Sequence, residues 1–273
     1  MLKNIINMLI ILSSLYCYSM DMQNPQLYLG LCAEFWDFDK PIPPAKEYAL
    51  FRHYVAQSTG PILEPMCGTG RYLIPLVEEG FKIDGFDASK FMFDSLCKKC
   101  TEKNITPHVW RQFLELVPET KKYNLIFIPD TSFALFTDLS HVKKCLSKIY
   151  ALLLPGGKFV FDVQTIHSRW GKIGLWAKKA YKKPDGNMIV ENYLPMPIVD
   201  SISPVMLRYE LMEATGKILK TEEEYYPIRL YRPDEMGNLL RDVGFKTVKQ
   251  VKAHDITKTP SKRDAVIVYE CIK

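Results

Sequence analysis

The sequence predicts an α/β fold in which a mostly parallel sheet is followed by a smaller group of antiparallel strands. Between Pro61 and Val163, short apolar runs alternate with segments of helical periodicity, which is typical of βαβ units with right-handed crossovers. Residues 188–231 instead alternate polar and apolar side chains, the period of half-buried strands. At 273 residues and 47% hydrophobic composition, the chain is long enough for one large α/β domain with an insertion, or for two small domains.

The first two βα units are defined by short apolar runs and by the residues that follow them. The first strand ends at Ile62-Leu63, and a helix is predicted over Tyr72–Glu79. The second strand is Lys82–Phe86, and Ser89 can cap a helix that extends to Lys99.

The next part of the sheet is predicted from Val109-Trp110 as a short third strand and from Tyr123–Ile128 as a buried fourth strand. Leu139–Leu154 has a long apolar stripe of helical period. Pro155-Gly156-Gly157 should end this helix and release a fifth strand over Lys158–Val163.

The chain changes character after the fifth strand. Residues 165–185 are rich in aromatic and basic side chains, and the strands of 188–231 are expected to form a cap. Pro233 should open a last helix over Asp234–Asp242. The two final strands are predicted over Thr247–Ala253 and Ala265–Cys271.

A cluster of lysines interleaved with aromatic side chains raises the possibility of a nucleic-acid partner. A solvated helix face is the commoner explanation of such a charge run and is favoured here. The net charge is only +5, from 36 basic and 31 acidic residues, so composition does not favour nucleic acid. The cluster comprises Lys172, Lys178, Lys179, Lys182 and Lys183 with Trp170, Trp176 and Tyr181.

The stretch ILEPMCGTGR at residues 62–71 places the acid Glu64 before a loop containing Gly68, Thr69 and Gly70. Glycines after a strand let a ligand approach the backbone, which suggests a nucleotide site of the Rossmann type. The dinucleotide fingerprint fits only in part, because Leu73 stands where its third glycine belongs. A carboxylate would repel a pyrophosphate but attract an amino group, so a nucleoside carrying an amino acid is favoured over NAD.

Further polar residues follow the other strands. Asp87 closes the second strand, and an acid at that position can accept both hydroxyls of a ribose. Gln112 and Phe113 follow the third strand, where an amide and an aromatic ring could contact an adenine. Pro129 and Asp130 follow the fourth strand at the same edge.

LEPMCGTGR, GFDAS and LLLPGGKFVFDV, in this order, make the chain resemble the class I S-adenosylmethionine-dependent methyltransferases. The resemblance is clear over residues 61–164. It implies a Rossmann-like seven-stranded sheet whose last strand is antiparallel, with the β cap inserted after strand five. Met66 replaces the first glycine of the family's loop, and Gln112 replaces the commoner aspartate.

The resemblance also implies S-adenosyl-L-methionine as cofactor and a role for each matching position. Glu64, Gly68 and Gly70 would lie beside the methionine moiety, with Thr69 in the same loop. Asp87 would bind the ribose, flanked by Ala88. Gln112 and Phe113 would lie near the adenine, and Pro129, after strand four, is also among the predicted cofactor-binding residues.

Aromatic residues before the first strand could fold over the sulfonium and attract it by cation–π interaction. Tyr28, Phe35 and Trp36 are the candidates, and the alternative is that they only pack onto the sheet. Methyl transfer from a sulfonium needs alignment more than acid–base catalysis, so no catalytic residue is assigned. Asp130, His167, Tyr193 and Tyr231 are candidate bases by position, although a structural or surface role is favoured for each of them.

The N-terminal 22 residues combine a basic start with a short apolar run, as a secretory signal does, or else reflect a start assigned too early. The run is too short and interrupted to predict a membrane span. The predicted organisation is this leader (1–22), lid helices (23–60), a cofactor-binding core (61–164), a cap for the substrate (165–231) and a C-terminal return to the core (232–273). Because the cofactor is made in the cytoplasm, that compartment is favoured.

The predicted function is methyl transfer to a small-molecule acceptor, and the oligomeric state is left open. The chain reads IPDT where nucleic-acid amino-methyltransferases of the family carry [ND]-P-P-[YF], which disfavours DNA bases. The alternatives are a non-catalytic cofactor-binding sensor or scaffold, and an NAD-dependent oxidoreductase. No metal is expected, because Cys97 and Cys100 form a C-x-x-C without a second ligand pair at zinc spacing.

Overall fold

The computed structural model describes residues 27–232, 234–253 and 255–273. The predicted leader over residues 1–22 and the helix-opening role of Pro233 both lie outside these residues. Within the described ranges, no helix is long and apolar enough to cross a membrane.

A seven-stranded mixed sheet forms the centre of the fold, in the order β10-β11-β5-β4-β1-β2-β3. Strands β1 to β5 are parallel, and β11 runs antiparallel between β5 and β10. The prediction of a mostly parallel, seven-stranded sheet with an antiparallel last strand is therefore confirmed. The strands are β1 (Ile62–Pro65), β2 (Ile83–Asp87), β3 (Val109–Arg111), β4 (Tyr123–Ile128), β5 (Leu153–Gln164), β10 (Thr247–Lys252) and β11 (Val266–Ile272).

Helices cover both faces of this sheet, and most of its successive parallel strands are connected through a helix. Ser89 caps α4 as predicted, since its hydroxyl accepts a hydrogen bond from the Met92 amide at 3.3 Å. Two short 3₁₀ helices, at 114–116 and 132–135, follow β3 and β4. The helices are α1 (Gly30–Asp39), α2 (Ala45–Gln57), α3 (Leu73–Glu78), α4 (Lys90–Glu102), α5 (Leu139–Leu152) and α6 (Glu235–Val243).

The Pro155-Gly156-Gly157 segment differs from its prediction. It lies inside β5, which begins at Leu153 directly after α5, and the pairing with β4 shifts register across it. Gly156 has a φ of +77°, which a residue with a side chain adopts only at a cost. The two glycines therefore produce an irregularity within strand β5. The sequence predicted a turn that precedes this strand.

The cap is a separate four-stranded antiparallel sheet inserted between β5 and α6, as predicted. The favoured placement of the lysine cluster on a helix was wrong, because Lys178, Lys179 and Lys182 lie on a strand of this sheet, Ala177–Lys182. Two of the lysines form ion pairs with acids of α1. Lys179 contacts Asp39 at 3.0 Å, and Lys183, which directly follows the strand, contacts Glu34 at 2.8 Å. The strands are β6 (Ala177–Lys182), β7 (Met188–Pro195), β8 (Ile202–Met212) and β9 (Ile218–Arg229).

Helix α1 packs against the cap through a small apolar core of its own. Leu31, Cys32 and Phe35 are buried there with Ile189 and Tyr209 of the cap. Larger apolar clusters fill the space between the central sheet and its helices. Because α1 is fixed to the cap on one side and contacts α4 on the other, it lies beside the carboxyl ends of the parallel strands.

Candidate functional site

A cavity of about 470 Å³ opens at the carboxyl edge of the parallel strands, beneath α1 and the cap. Parallel α/β sheets bind ligands at this edge because the loops after adjacent strands meet there. Four groups line the cavity: the tips of β1 and β2 with their loops, the segments after β3 and β4, the start of α1, and strands β8 and β9. Most of the predicted cofactor positions are among them, namely Tyr28, Trp36, Glu64, Gly68, Thr69, Asp87, Ala88, Phe113 and Pro129.

Glu64 closes one side of this cavity at the tip of β1. Its side chain is 1% exposed, and its Oε2 atom has no hydrogen-bond partner. Burial and the neighbouring charge of Asp87 raise the pKa of the Glu64 carboxyl well above its ordinary value. An unpartnered buried carboxylate is costly, so this oxygen is suited to a donor or cation supplied by a ligand.

Asp87 lies at the tip of β2 and organises the backbone around it. Its two carboxylate oxygens accept hydrogen bonds from the amides of Gly68 and Ser89, each at 2.8 Å. Burial raises the pKa of Asp87 to about 6, and these backbone bonds partly oppose that rise. A carboxylate has about four acceptor positions, so two remain for hydroxyl donors of a ligand.

The two glycines of the loop between these acids have different surroundings: Gly68 faces the cavity, and Gly70 faces the core. Gly68 has a φ of +54° and lines the cavity, and a Cβ at this position would meet no atom within 4 Å. Gly70 has a φ of +84° but is not among the lining residues, and a Cβ there would lie 2.5 Å from Leu96 Cδ1. Met66 also adopts the left-handed region, with a φ of +57°, where the family's loop has glycine.

Replacing Gly70 by alanine should therefore mainly lower stability, whereas replacing Gly68 should mainly weaken ligand binding. Gly70→Ala should lower the free energy of unfolding by about 2–5 kcal/mol, from backbone strain and from overlap with buried Leu96 and Ile74. Gly68→Ala should cost only about 1–2 kcal/mol in stability, because space is open around it, while the added methyl group weakens ligand binding. Urea unfolding and calorimetric titration of both variants would measure this. Equal losses of stability in the two variants would contradict the assignment of Gly70 to core packing and of Gly68 to ligand approach.

Tyr28 and Trp36 reach the cavity because the start of α1 is held by acids of the cap. The buried side chain of Glu224 accepts hydrogen bonds from the amides of Tyr28 at 2.9 Å and Leu29 at 2.8 Å. These are among the amides that a helix N-terminus leaves without intrahelical partners. The opposite end of α1 is tied to the core, since Asp37 accepts a hydrogen bond from Thr69 Oγ1 at 2.7 Å. Tyr28 and Trp36 are thus held beside the strand tips, in the lining of the same cavity.

Several predicted residues lie elsewhere, for identifiable reasons. Gln112 does not line the cavity; its side-chain oxygen accepts a hydrogen bond from the adjacent Phe113 amide at 3.0 Å. Phe35 does not line the cavity; its ring lies 5.4 Å from that of Tyr181, in the small apolar core between α1 and the cap. Of the candidate bases, His167 is exposed, Tyr231 is buried in the main core, and Tyr193 lines a separate cavity of about 160 Å³.

Asp130 is the one candidate base that lines the main cavity. It and Thr131 both have left-handed backbones, with φ of 59° and 56°, and strain of this kind is concentrated at functional sites. Asp130 also accepts a hydrogen bond from Arg71 at 2.9 Å. Sequence reasoning missed Arg71, although it directly follows the glycine loop, because only the fold brings it to the end of β4.

Taken together, the site fits a zwitterionic nucleoside ligand. Glu64 offers an unpartnered oxygen to a positive group, and Asp87 offers free acceptor positions beside it. Gly68 leaves room for close approach to the backbone, and the rings of Tyr28 and Trp36 line the opposite wall. Neighbouring acids with no cation between them do not suit a pyrophosphate.

Residues 62–157 match the family described as "Methyltransferase domain". A curated relative from Geobacillus sp. (strain WCH70), named "Putative methyltransferase", is 24% identical over 212 residues. The alignment covers 77% of this chain and 83% of the relative.

Two solved structures show the same fold over nearly their whole length. An S-adenosylmethionine-dependent methyltransferase from Clostridium acetobutylicum has a TM-score of 0.70 and 17% identity, covering 88% of this chain and 96% of that one. S-adenosylmethionine-bound CalS10, an amino pentose methyltransferase from Micromonospora echinaspora, has a TM-score of 0.63 and 11% identity, covering 90% and 98%. The glycine loop lies inside the matched methyltransferase domain. Residues 62–157 are accordingly similar to a methyltransferase domain, and the chain as a whole has the fold of S-adenosylmethionine-dependent methyltransferases.

Proposed function

We propose that this enzyme transfers a methyl group from S-adenosylmethionine to a nucleophilic atom of a small molecule held between the strand tips and the cap. The observation that carries the proposal is that Glu64 and Asp87 share one cavity with side chains of β8 and β9. The acids suit the donor, and the cap strands supply a second wall for an acceptor.

The donor end is formed by the three strand tips. Glu64 would take the amino group of the methionine moiety, because its Oε2 atom is buried without a partner. Asp87 would take the ribose hydroxyls, and Phe113 would contact the adenine. The cofactor, when bound, supplies a methyl group already activated by the sulfonium, so these residues bind and orient and do not transfer protons.

The acceptor end is formed by Ile202, Tyr225 and Pro227 of the cap. A cavity of about 470 Å³ falls within the range of about 300–1,000 Å³ typical of small-molecule sites. The cap, residues 165–231, is the substrate domain in this proposal, and the start of α1 is the cofactor lid. CalS10, whose fold this chain shares, is named as acting on an amino pentose, which makes amine-bearing small molecules the first acceptors to test.

Asp130 is assigned an orienting role instead of that of a general base. Its carboxylate contacts Arg71 at 2.9 Å and Lys40 at 3.9 Å, and it lies at the cavity wall after β4. Both cations contact Oδ2, and Oδ1 can accept a hydrogen bond from an acceptor amine or hydroxyl. Lid and cap together exclude water, and exclusion of water and alignment are what this displacement requires.

The test is a methyl-transfer assay with labelled S-adenosylmethionine against small amines and alcohols, duplex DNA, RNA and peptides. Product is expected with a member of the small-molecule set. Ile202→Trp, which fills the acceptor end, should raise the KM for that acceptor more than about tenfold and change affinity for S-adenosylhomocysteine by less than about twofold. Methylation of nucleic acid or peptide alone would overturn the proposed acceptor class, and cofactor binding without turnover on any acceptor would favour a sensor or scaffold.

Affinity for S-adenosylhomocysteine should depend on pH through Asp87. Its pKa of about 6 is that of a buried carboxyl, and the ionised form is the better acceptor for ribose hydroxyls. As pH falls below about 6, affinity should therefore decrease, by at most about tenfold per pH unit for this one group. Asp87→Asn should remove this part of the dependence. Glu64→Gln must be measured beside it, because ionisation of Glu64 would act in the same direction. An affinity that is constant from about pH 5 to about pH 8 would contradict the ribose role.

A further inference from the structure

Three metal-ligating side chains converge at the side of the cavity near Phe113. They are Glu115, His141 and Cys145, and their ligand atoms all lie within 4.8 Å of one another. His141 and Cys145 are one turn apart on α5, so they share a face of that helix. Glu115 comes from the 3₁₀ helix after β3, which packs against α5. The cluster is therefore assembled from two elements that are distant in sequence.

One ring nitrogen of His141 lacks a hydrogen-bond partner in this cluster. Its Nε2 atom is buried and has no hydrogen-bond partner, although Glu115 Oε1 lies 3.5 Å away. A buried nitrogen without a hydrogen-bond partner is destabilising, so such a nitrogen in a native fold calls for an explanation. An ion between the two side chains would satisfy both, with the imidazole nitrogen and the carboxylate oxygen as ligands.

The ring of His141 is held in place by its surroundings. Its backbone amide donates to the capping carboxylate of Asp138 at 2.8 Å, which fixes the first turn of α5. The ring of Phe136 lies edge-on at 5.0 Å. Cys145, one turn further along, is completely buried. Two of the three ligands are thus built on a rigid, capped helix, which favours a defined coordination geometry.

Access to the cluster is from the cavity. Glu115 and His141 line it, whereas Cys145 is behind them in the core. An ion that entered would have three protein ligands and one side facing the cavity, where water can complete a tetrahedron. Three protein ligands with an open fourth position are a common zinc arrangement, and sulfur, imidazole and carboxylate are all zinc ligands.

We propose that Glu115, His141 and Cys145 form a binding site for a zinc-type divalent cation at the edge of the cofactor cavity. Ligation replaces the proton of the Cys145 thiol with the metal, and that proton is released to solvent. Cys97 and Cys100, the pair that the sequence presents as C-x-x-C, are free and lie outside this cluster. In the described ranges, Glu115, His141 and Cys145 are the one group of three such residues close enough to share an ion. The inference is independent of the acceptor.

Co²⁺ is the probe of choice, because a cobalt–thiolate bond has a charge-transfer absorption that reports sulfur ligation directly. The full chain, stripped of metal and kept reduced with a phosphine, should bind one equivalent of Co²⁺ with this absorption, and Zn²⁺ should displace it. Cys145→Ser should abolish the absorption, and Glu115→Gln and His141→Ala should each weaken binding by at least about 100-fold. Circular dichroism and a cooperative thermal unfolding transition establish that each variant is folded.

The double variant Cys97→Ser/Cys100→Ser is the matched control and should retain the absorption unchanged. The proposal is overturned if the wild-type chain binds no stoichiometric Co²⁺. It is also overturned if Glu115→Gln binds as tightly as the wild type, or if only the double variant loses the cobalt–thiolate absorption. Because Glu115→Gln alters the cluster without changing the buried core, the test holds even if Cys145→Ser does not fold.

Discussion

Replacing Asp87 with alanine is expected to lower the affinity for S-adenosylhomocysteine by about 100-fold or more. Each hydrogen bond between a charged carboxylate and a hydroxyl contributes about 1.5–3 kcal/mol, and the ribose offers two hydroxyls. The substitution also leaves the amides of Gly68 and Ser89 without their acceptors, so the loop that faces the ligand loses its anchor. Calorimetric titration of the purified variant measures the effect.

Two further variants make this result specific. Asp94→Ala removes an exposed carboxylate of α4 whose partner is Lys90, and it should leave affinity unchanged. Asp87→Asn keeps one oxygen acceptor of similar shape, so it should remain folded while losing much of the affinity. If Asp87→Asn bound the ligand as tightly as the wild type, the ribose assignment would have to be abandoned.

The second large effect is expected at Glu224, which no local sequence pattern singles out. Glu224→Ala should release the start of α1 from the cap, because the amides of Tyr28 and Leu29 lose a buried acceptor, at about 1–3 kcal/mol each. Hydrogen exchange across Gly30–Asp39 should accelerate, and ligand affinity should fall because Tyr28 and Trp36 leave the cavity wall.

The neighbouring Glu223 provides the matched control. It lies on the same strand with its side chain 64% exposed, and it makes no contact with these amides, so Glu223→Ala should leave exchange in α1 unchanged. Equal exchange in the two variants would show that Glu224 does not hold the lid.

Glu224 should also contribute to the pH dependence of stability. Burial raises its pKa from 4.5 to about 7, so the folded state favours the protonated carboxyl. A raised pKa of an acid gives a stabilising contribution that is complete below the unfolded pKa and is lost as pH rises through the folded one. Between about pH 4.5 and about pH 7 the wild type should lose about 3 kcal/mol relative to Glu224→Gln. Denaturant unfolding of both proteins across this range gives the difference, and parallel curves would contradict it.

The local features of the fold could be predicted because they depend on neighbouring residues. Apolar runs located β2, β4 and three of the four cap strands, β7 to β9, and the serine at position 89 marked a helix start by its side-chain chemistry. Glu64 and Asp87 could be placed on one edge because the ends of parallel strands in a sheet must meet there. The lysines of β6 were wrongly predicted to lie on a helix. A run of charged residues has no hydrophobic periodicity, so its sequence does not distinguish a helix from an edge strand.

The sequence by itself determined the succession of strands and helices along the chain, the edge of the sheet that carries the candidate site, and the chemistry of the cofactor that this edge can hold. Only the tertiary structure decided which glycine faces the ligand, which acid holds the lid, and that Glu115 meets His141 and Cys145. Glu224 binds the amide of Tyr28 across 196 positions of sequence. Contacts of this kind depend on how two finished elements pack, and packing is determined by the shape of the whole core, which no short stretch of the chain encodes.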